Sequence, residues 1–159
     1  MTRKEQYNQL ILQIAGLIKD ETNLVGILAN VSAALHDTFP ERFFWVGFYL
    51  QENGNMLRLG PFQGSVACYV IPFGKGVCGK AWEEERTLIV PDVEKFPGHI
   101  PCSSLSRSEI VVPMYDDSHT FRGVLDIDST RLNDFNEDDK EGLERIIELL
   151  MAETQDLFQ

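Results

Sequence analysis

Cys102 stands in Gly98-His99-Ile100-Pro101-Cys102-Ser103-Ser104, a stretch with neither helical nor strand periodicity. A buried structural cysteine normally sits inside an apolar run. This one sits in a polar, turn-rich loop beside a histidine, where a thiolate can form and be reached. Cys102 is therefore the candidate nucleophile, activated by His99 or by the amides of the Ser103-Ser104 turn. Cys68 and Cys78 are the candidate partners for resolving an oxidised sulfur. The competing reading is that all three cysteines are inert small hydrophobes. Structural zinc sites want close ligand pairs such as C-x-x-C, and His99-x-x-Cys102 is a half-pair with no second half, so no metal is expected.

A second group is acidic. Asp126 and Asp128 lie two apart in Leu125-Asp126-Ile127-Asp128-Ser129 and so share one side of a strand. Two like charges there repel unless a cation or a proton sits between them. Glu109, near the start of the adjacent strand, can join them. Three carboxylates can hold an ammonium group, and their repulsion can keep one protonated as a general acid. A solvated strand face is the competing interpretation. Trp45 and Tyr49 share one face of an apolar strand and can wall a pocket for a thioether-like chain or a cation, although core packing explains them too. His36 and His119 read as a helix-end and a turn histidine.

These residues need elements to hold them. Tyr7, Leu10, Ile11, Ile14 and Ile18 repeat at helical spacing, as do Leu24, Ile27, Leu28, Val31 and Leu35, with Pro40 closing the second helix. Phe43 to Leu50 reads as a central strand, with Phe44, Val46 and Phe48 on the face opposite Trp45. Gln51 to Asn55 is a hairpin signal. Met56 to Gly60 returns, Pro61 to Gly64 turns, and Ser65 to Ile71 makes a third strand carrying Cys68. Gly74, Gly76 and Gly79 formally match a dinucleotide fingerprint. The hairpin-linked strands before them and the missing acid about 20 residues on argue instead for a tight connection into a helix, Val77 to Glu85. Thr87 to Val90 is a short strand, and Pro91 to Ser106 is a long irregular segment of the kind that often carries function. Strands Ser108 to Met114 and Thr120 to Ser129 follow. A final helix starts near Asn136, with Glu137, Asp138 and Asp139 matching its dipole and Leu143, Ile146, Ile147 and Leu150 as its buried stripe. The order predicts one α+β domain over residues 1–159, an antiparallel sheet flanked by helices.

Composition narrows the partners. Fourteen basic residues against 25 acidic give a net charge of −11, which argues against nucleic acid or an anionic membrane. No apolar run approaches the roughly 20 residues of a membrane-spanning helix. The N-terminus leads into an amphipathic pattern rather than an apolar h-region, so no signal peptide is expected. Three widely spaced cysteines do not make a secreted disulfide framework, and a cytoplasmic setting is the simpler expectation.

Taken together, Trp45-Val46-Gly47-Phe48-Tyr49-Leu50, Gly60-Pro61-Phe62-Gln63-Gly64, Gly74 to Gly79, Gly98-His99-Ile100-Pro101-Cys102, Ser108-Glu109-Ile110-Val111 and Gly123 to Ser129 resemble the free methionine-(R)-sulfoxide reductases, small GAF-domain enzymes. The likeness runs from about residue 20 to residue 150. The resemblance implies a GAF-like fold and reduction of free L-methionine-(R)-sulfoxide. It implies that Cys102 attacks the sulfoxide sulfur, that Cys68 resolves, and that Cys78 is an alternative resolver or a passive thiol. Trp45, Tyr49, Glu109, Asp126 and Asp128 match the substrate-binding set. No bound cofactor is implied. Thioredoxin, with thioredoxin reductase and NADPH, is the external reductant, and a homodimer is the expected assembly. Pro101 departs from the family pattern, which more often has alanine there, and removes one backbone N–H. A ligand-binding GAF sensory module or a thiol redox sensor is the alternative function.

Overall fold

The computed structural model describes residues 1–158. Among them, in chain order, run α1 (Arg3–Ile18), α2 (Leu24–Thr38), β1 (Trp45–Glu52), β2 (Met56–Gln63), β3 (Val70–Pro72), α3 (Gly76–Glu84), β4 (Leu88–Val90), β5 (Ser108–Tyr115), β6 (Phe121–Ser129) and α4 (Glu137–Thr154). The strands form one antiparallel sheet in the order β3-β2-β1-β6-β5-β4. The chain enters at the middle with β1 and steps to one edge through β2 and β3. It then crosses through α3 to the other edge at β4, and β5 and β6 lead back beside β1. The α+β architecture read from the sequence is the one observed.

Alternation along the strands gives the sheet two different faces. Val46 and Phe48 of β1, Ile110, Val112 and Met114 of β5, and Leu125 and Ile127 of β6 point one way. They pack against the apolar stripes of α1, α2 and α4, in which Leu10, Ile14, Leu28, Leu143, Ile146 and Leu150 are buried. Each such side chain contributes about 1.5–3 kcal/mol by leaving water. The other face carries Trp45, Tyr49, Val111 and Val124 under α3, which adds Val77 and Ala81. Phe44 joins this second face rather than that of Val46 and Phe48, because it precedes the first paired residue of β1 and escapes its alternation.

α1 is locked to α4 by one buried carboxylate. Asn136 caps α4 by accepting from the amides of Asp138 and Asp139, and Asp139 accepts in return from the Asn136 amide. Asp139 also accepts from Tyr7 Oη at 2.7 Å, Arg3 at 2.8 Å and Arg42 at 3.0 Å. Its side chain is fully buried.

β1 starts and ends two residues later than the Phe43 to Leu50 read from the sequence, and β2 and β3 differ more. β2 runs on to Gln63, past the turn expected at Pro61 to Gly64. Pro61 is accommodated because β1 and β2 slip register between Gly47 and Tyr49, so no ladder amide is needed where proline lacks one. β3 is cut to three residues, and Cys68 lies in the irregular segment before it instead of on a strand. The glycine motif is the tight connection expected. Gly74 and Gly76 have φ of +73° and +61°, and a side chain at Gly79 would stand 2.6 Å from the Pro72 carbonyl.

Candidate active site

The pairing of three strands assembles an acidic row. Asp128 of β6 lies between Trp45 of β1 and Glu109 of β5, and Asp126 lies between Gly47 and Val111 in the same way. The two aspartates point to the α3 side, as their spacing requires, and Glu109 joins them there. Glu109 and Asp126 are only 5% and 6% exposed, while Asp128 is half-buried. Burial pushes all three carboxyls up from their ordinary range, and for Glu109 and Asp128 the neighbouring acids add to the rise. Asp126 Oδ1 is buried and has no hydrogen-bond partner.

The aromatic wall comes from β1. Trp45 and Tyr49 are stacked at 5.9 Å, and Phe62 stacks on Trp45 at 5.1 Å across the bare backbone of Gly47. Their polar ends reach beyond the sheet. Trp45 Nε1 donates to the Ser65 carbonyl at 3.0 Å, and Tyr49 Oη donates to the Cys68 carbonyl at 2.9 Å. Residues 64–69 have few ladder bonds of their own, so these two rings fix the segment that carries Cys68.

Cys68 is bonded to Cys102, with Cα atoms 5.5 Å apart, inside the usual disulfide range. On the Cys102 side, the Cys102 amide donates to the Ile100 carbonyl at 3.0 Å, closing a three-residue turn around Pro101. The pyrrolidine ring fixes the central φ of that turn, so Pro101 pre-sets the approach to the cysteine. His99 lines the same cavity. Its Nε2 lies 3.9 Å from Glu109 Oε1, and burial lowers its pKa, keeping the ring neutral. From α3, Cys78 projects inward as a buried free thiol, its pKa pushed well up by burial and by the nearby acids. Val66 and Tyr69, on either side of Cys68, are 87% and 77% exposed.

Trp45, Tyr49, Cys78, Cys102, Glu109, Asp126 and Asp128 thus line one cavity, of about 540 Å³ including its mouth.

The GAF domain model matches residues 21–152. The chain is 56% identical to GAF domain-containing protein A of Dictyostelium discoideum, over 94% of this chain and 92% of that one. It is 42% identical to the free methionine-R-sulfoxide reductase of Saccharomyces cerevisiae, over 94% of this chain and 86% of the relative. The solved structure of free methionine-R-sulfoxide reductase from Neisseria meningitidis, described as a complex with its substrate, is 45% identical. It superposes with a TM-score of 0.93 over 98% of this chain and 92% of that one. This chain is a member of the free methionine-R-sulfoxide reductase family of GAF domains.

Against that family assignment, the fold brings together every residue singled out by type and spacing, with Cys68 reached through its bond to Cys102. What sequence reading missed is the apolar part of the wall, Ile71, Val77 and Ile100. Each sits in a segment too short to show a period, so no pattern assigned it a face. His119 stacks on Tyr115 and lies 2.8 Å from Glu85, away from the cavity.

Proposed function

We propose that this protein reduces free L-methionine-(R)-sulfoxide to L-methionine, using Cys102 as nucleophile and no bound cofactor. The observation that carries the reading is the convergence of a cross-linked Cys102, three acids, two of them buried, and an aromatic pair on one cavity.

Neutral His99 accepts the Cys102 proton, and the thiolate attacks the sulfoxide sulfur. As the S=O bond breaks, its oxygen takes a proton from a protonated member of the Glu109, Asp126, Asp128 set. Methionine leaves, and the oxygen ends on Cys102 as sulfenic acid. The Cys68 thiol then attacks that sulfur, water departs, and the Cys68–Cys102 disulfide closes. Thioredoxin, itself recharged by thioredoxin reductase and NADPH, opens it by thiol exchange. Val66 and Tyr69 offer the reductant an apolar contact beside Cys68. Cys78 is a passive thiol in this cycle, because burial disfavours its thiolate.

An ionised carboxylate of the same set holds the substrate ammonium, while Trp45 and Tyr49 wall its side chain. A peptide-bound methionine has no ammonium group at that point, so the free amino acid is preferred. The protein acts as a cytoplasmic homodimer on this reading, and its sedimentation against a chain mass of 18.1 kDa checks the assembly.

The test is turnover of free against peptide-bound sulfoxide with thioredoxin, thioredoxin reductase and NADPH. Free (R)-sulfoxide should turn over and the peptide should not. Cys102→Ser should lose activity by at least 10³-fold, of the size seen when a covalent nucleophile is removed. Cys68→Ser should form one equivalent of methionine and stall. Undiminished turnover in Cys102→Ser would overturn the nucleophile, and sustained turnover in Cys68→Ser would move the resolving role to Cys78.

A further inference from the structure

One oxygen in this cavity lacks a hydrogen-bond partner, and one sulfur has no task in the reaction above. Asp126 Oδ1 is buried without a hydrogen-bond partner, although buried polar atoms are nearly always paired. Cys78 is the free thiol that remains when Cys68 and Cys102 are joined. The two belong to one cluster. A carboxylate oxygen of Asp126, one of Glu109 and the sulfur of Cys78 all lie within 4.8 Å of one another. His99 Nε2 adds a nitrogen 3.9 Å from Glu109 Oε1.

We propose that Cys78, Glu109 and Asp126 form a binding site for one borderline-soft divalent cation of the zinc type, with the fourth position left to solvent or to His99, which reaches the cluster only at Glu109. A tetrahedral shell with bonds of about 2.0–2.3 Å has edges of about 3.4–3.8 Å, so small rotamer adjustments bring the sulfur and the two carboxylate oxygens, already within 4.8 Å of one another, to ligating separation. Sulfur, nitrogen and carboxylate together suit zinc, cadmium or cobalt better than magnesium or calcium, which take oxygen. The ion supplies the positive charge that the crowded acids lack and gives the orphan Asp126 oxygen a partner. Binding expels the Cys78 proton and any proton held by the two carboxyls, so it tightens as pH rises. Chain spacing hid this site, because its donors come from α3, β5 and β6, and no two form a close pair along the sequence. An ion there occupies the space assigned to the substrate ammonium, which makes the site inhibitory.

The test uses the protein with the Cys68–Cys102 bond closed, so that Cys78 is the sole thiol. Titration with Co²⁺ or Cd²⁺ should give one equivalent of bound metal and a sulfur-to-metal charge-transfer absorption. Cys78→Ser, nearly isosteric, should abolish the absorption, and Asp126→Asn or Glu109→Gln should each weaken binding at least tenfold. Absence of the absorption at one equivalent of metal overturns the site. So does an absorption that survives Cys78→Ser, or binding indifferent to both carboxylate variants. The readout needs no turnover, so a failed reductase assay leaves it standing.

Discussion

At the residue scale, the side chains of β1 do two jobs at once. Tyr49 presents its ring to the cavity and its hydroxyl to the Cys68 carbonyl. Burial and the nearby acids raise its pKa, so the hydroxyl stays a donor. Tyr49→Phe keeps the ring and removes the donor. The expected loss is about 1 kcal/mol of local order, because the half-buried carbonyl loses its donor. Closure of the Cys68–Cys102 bond should then slow several-fold while the first attack on the sulfoxide is nearly unchanged. Trapping the Cys102 sulfenic acid with dimedone checks this: the variant should accumulate more adduct than wild type. Equal trapping removes Tyr49 from the positioning of Cys68. The pairing of Trp45 with Tyr49 was legible in the sequence because period two puts them on one face. Their hold on residues 64–69 was not, because it uses backbone carbonyls that carry no residue signature.

At the element scale, the sheet was legible where strands alternate and illegible where they bend. β5, β6 and the central part of β1 follow their hydrophobic pattern, and the acids at 109, 126 and 128 fell into one row as a consequence. The edges failed for local reasons. Pro61 suggested a turn but sits in a register slip, and the run from Ser65 looked extended yet pairs only from Val70. Asp139 is a second case of hidden context. Its sequence position accounts for a dipole contact at the start of α4, and nothing along the chain announces that Tyr7, Arg3 and Arg42 converge on it. Removing one partner of a buried charged network leaves the others unpaired. Asp139→Ala should therefore cost about 3–5 kcal/mol, lowering the urea midpoint while leaving KM unaffected in the surviving folded fraction. A midpoint within error of wild type would show that α1 docks through its apolar stripe alone.

At the scale of the whole molecule, the site carries a cost in pH. Glu109 and Asp128 ionise at higher pH in the folded chain than in the unfolded one. Below about pH 3, under the unfolded-state values of both groups, both states hold these protons, and the stability of the neutral pair is fully present. As pH rises, the unfolded chain releases its protons first, so stability falls until the folded carboxyls also ionise. Glu109→Gln removes one such group. The variant should gain on wild type from pH 4 to pH 8 and be the more stable at pH 8, as read from melting temperatures at each pH. Parallel curves would mean that Glu109 is not held neutral by the fold. Comparing the two proteins cancels groups that act with the opposite sign, such as Asp116, whose pKa is lowered by the Thr120 amide and Arg122.

The bond between Cys68 and Cys102 spans 34 positions of the chain. Tying so long a loop restricts the denatured ensemble by about 3–4 kcal/mol on chain-entropy grounds. On the proposed cycle, a molecule idling in want of electrons is thus the hardier form, and the one armed for its next substrate is the more perishable. Under oxidative load the protein that has already acted endures longest, so a depleted pool of reducing equivalents stores the enzyme as well as stopping it.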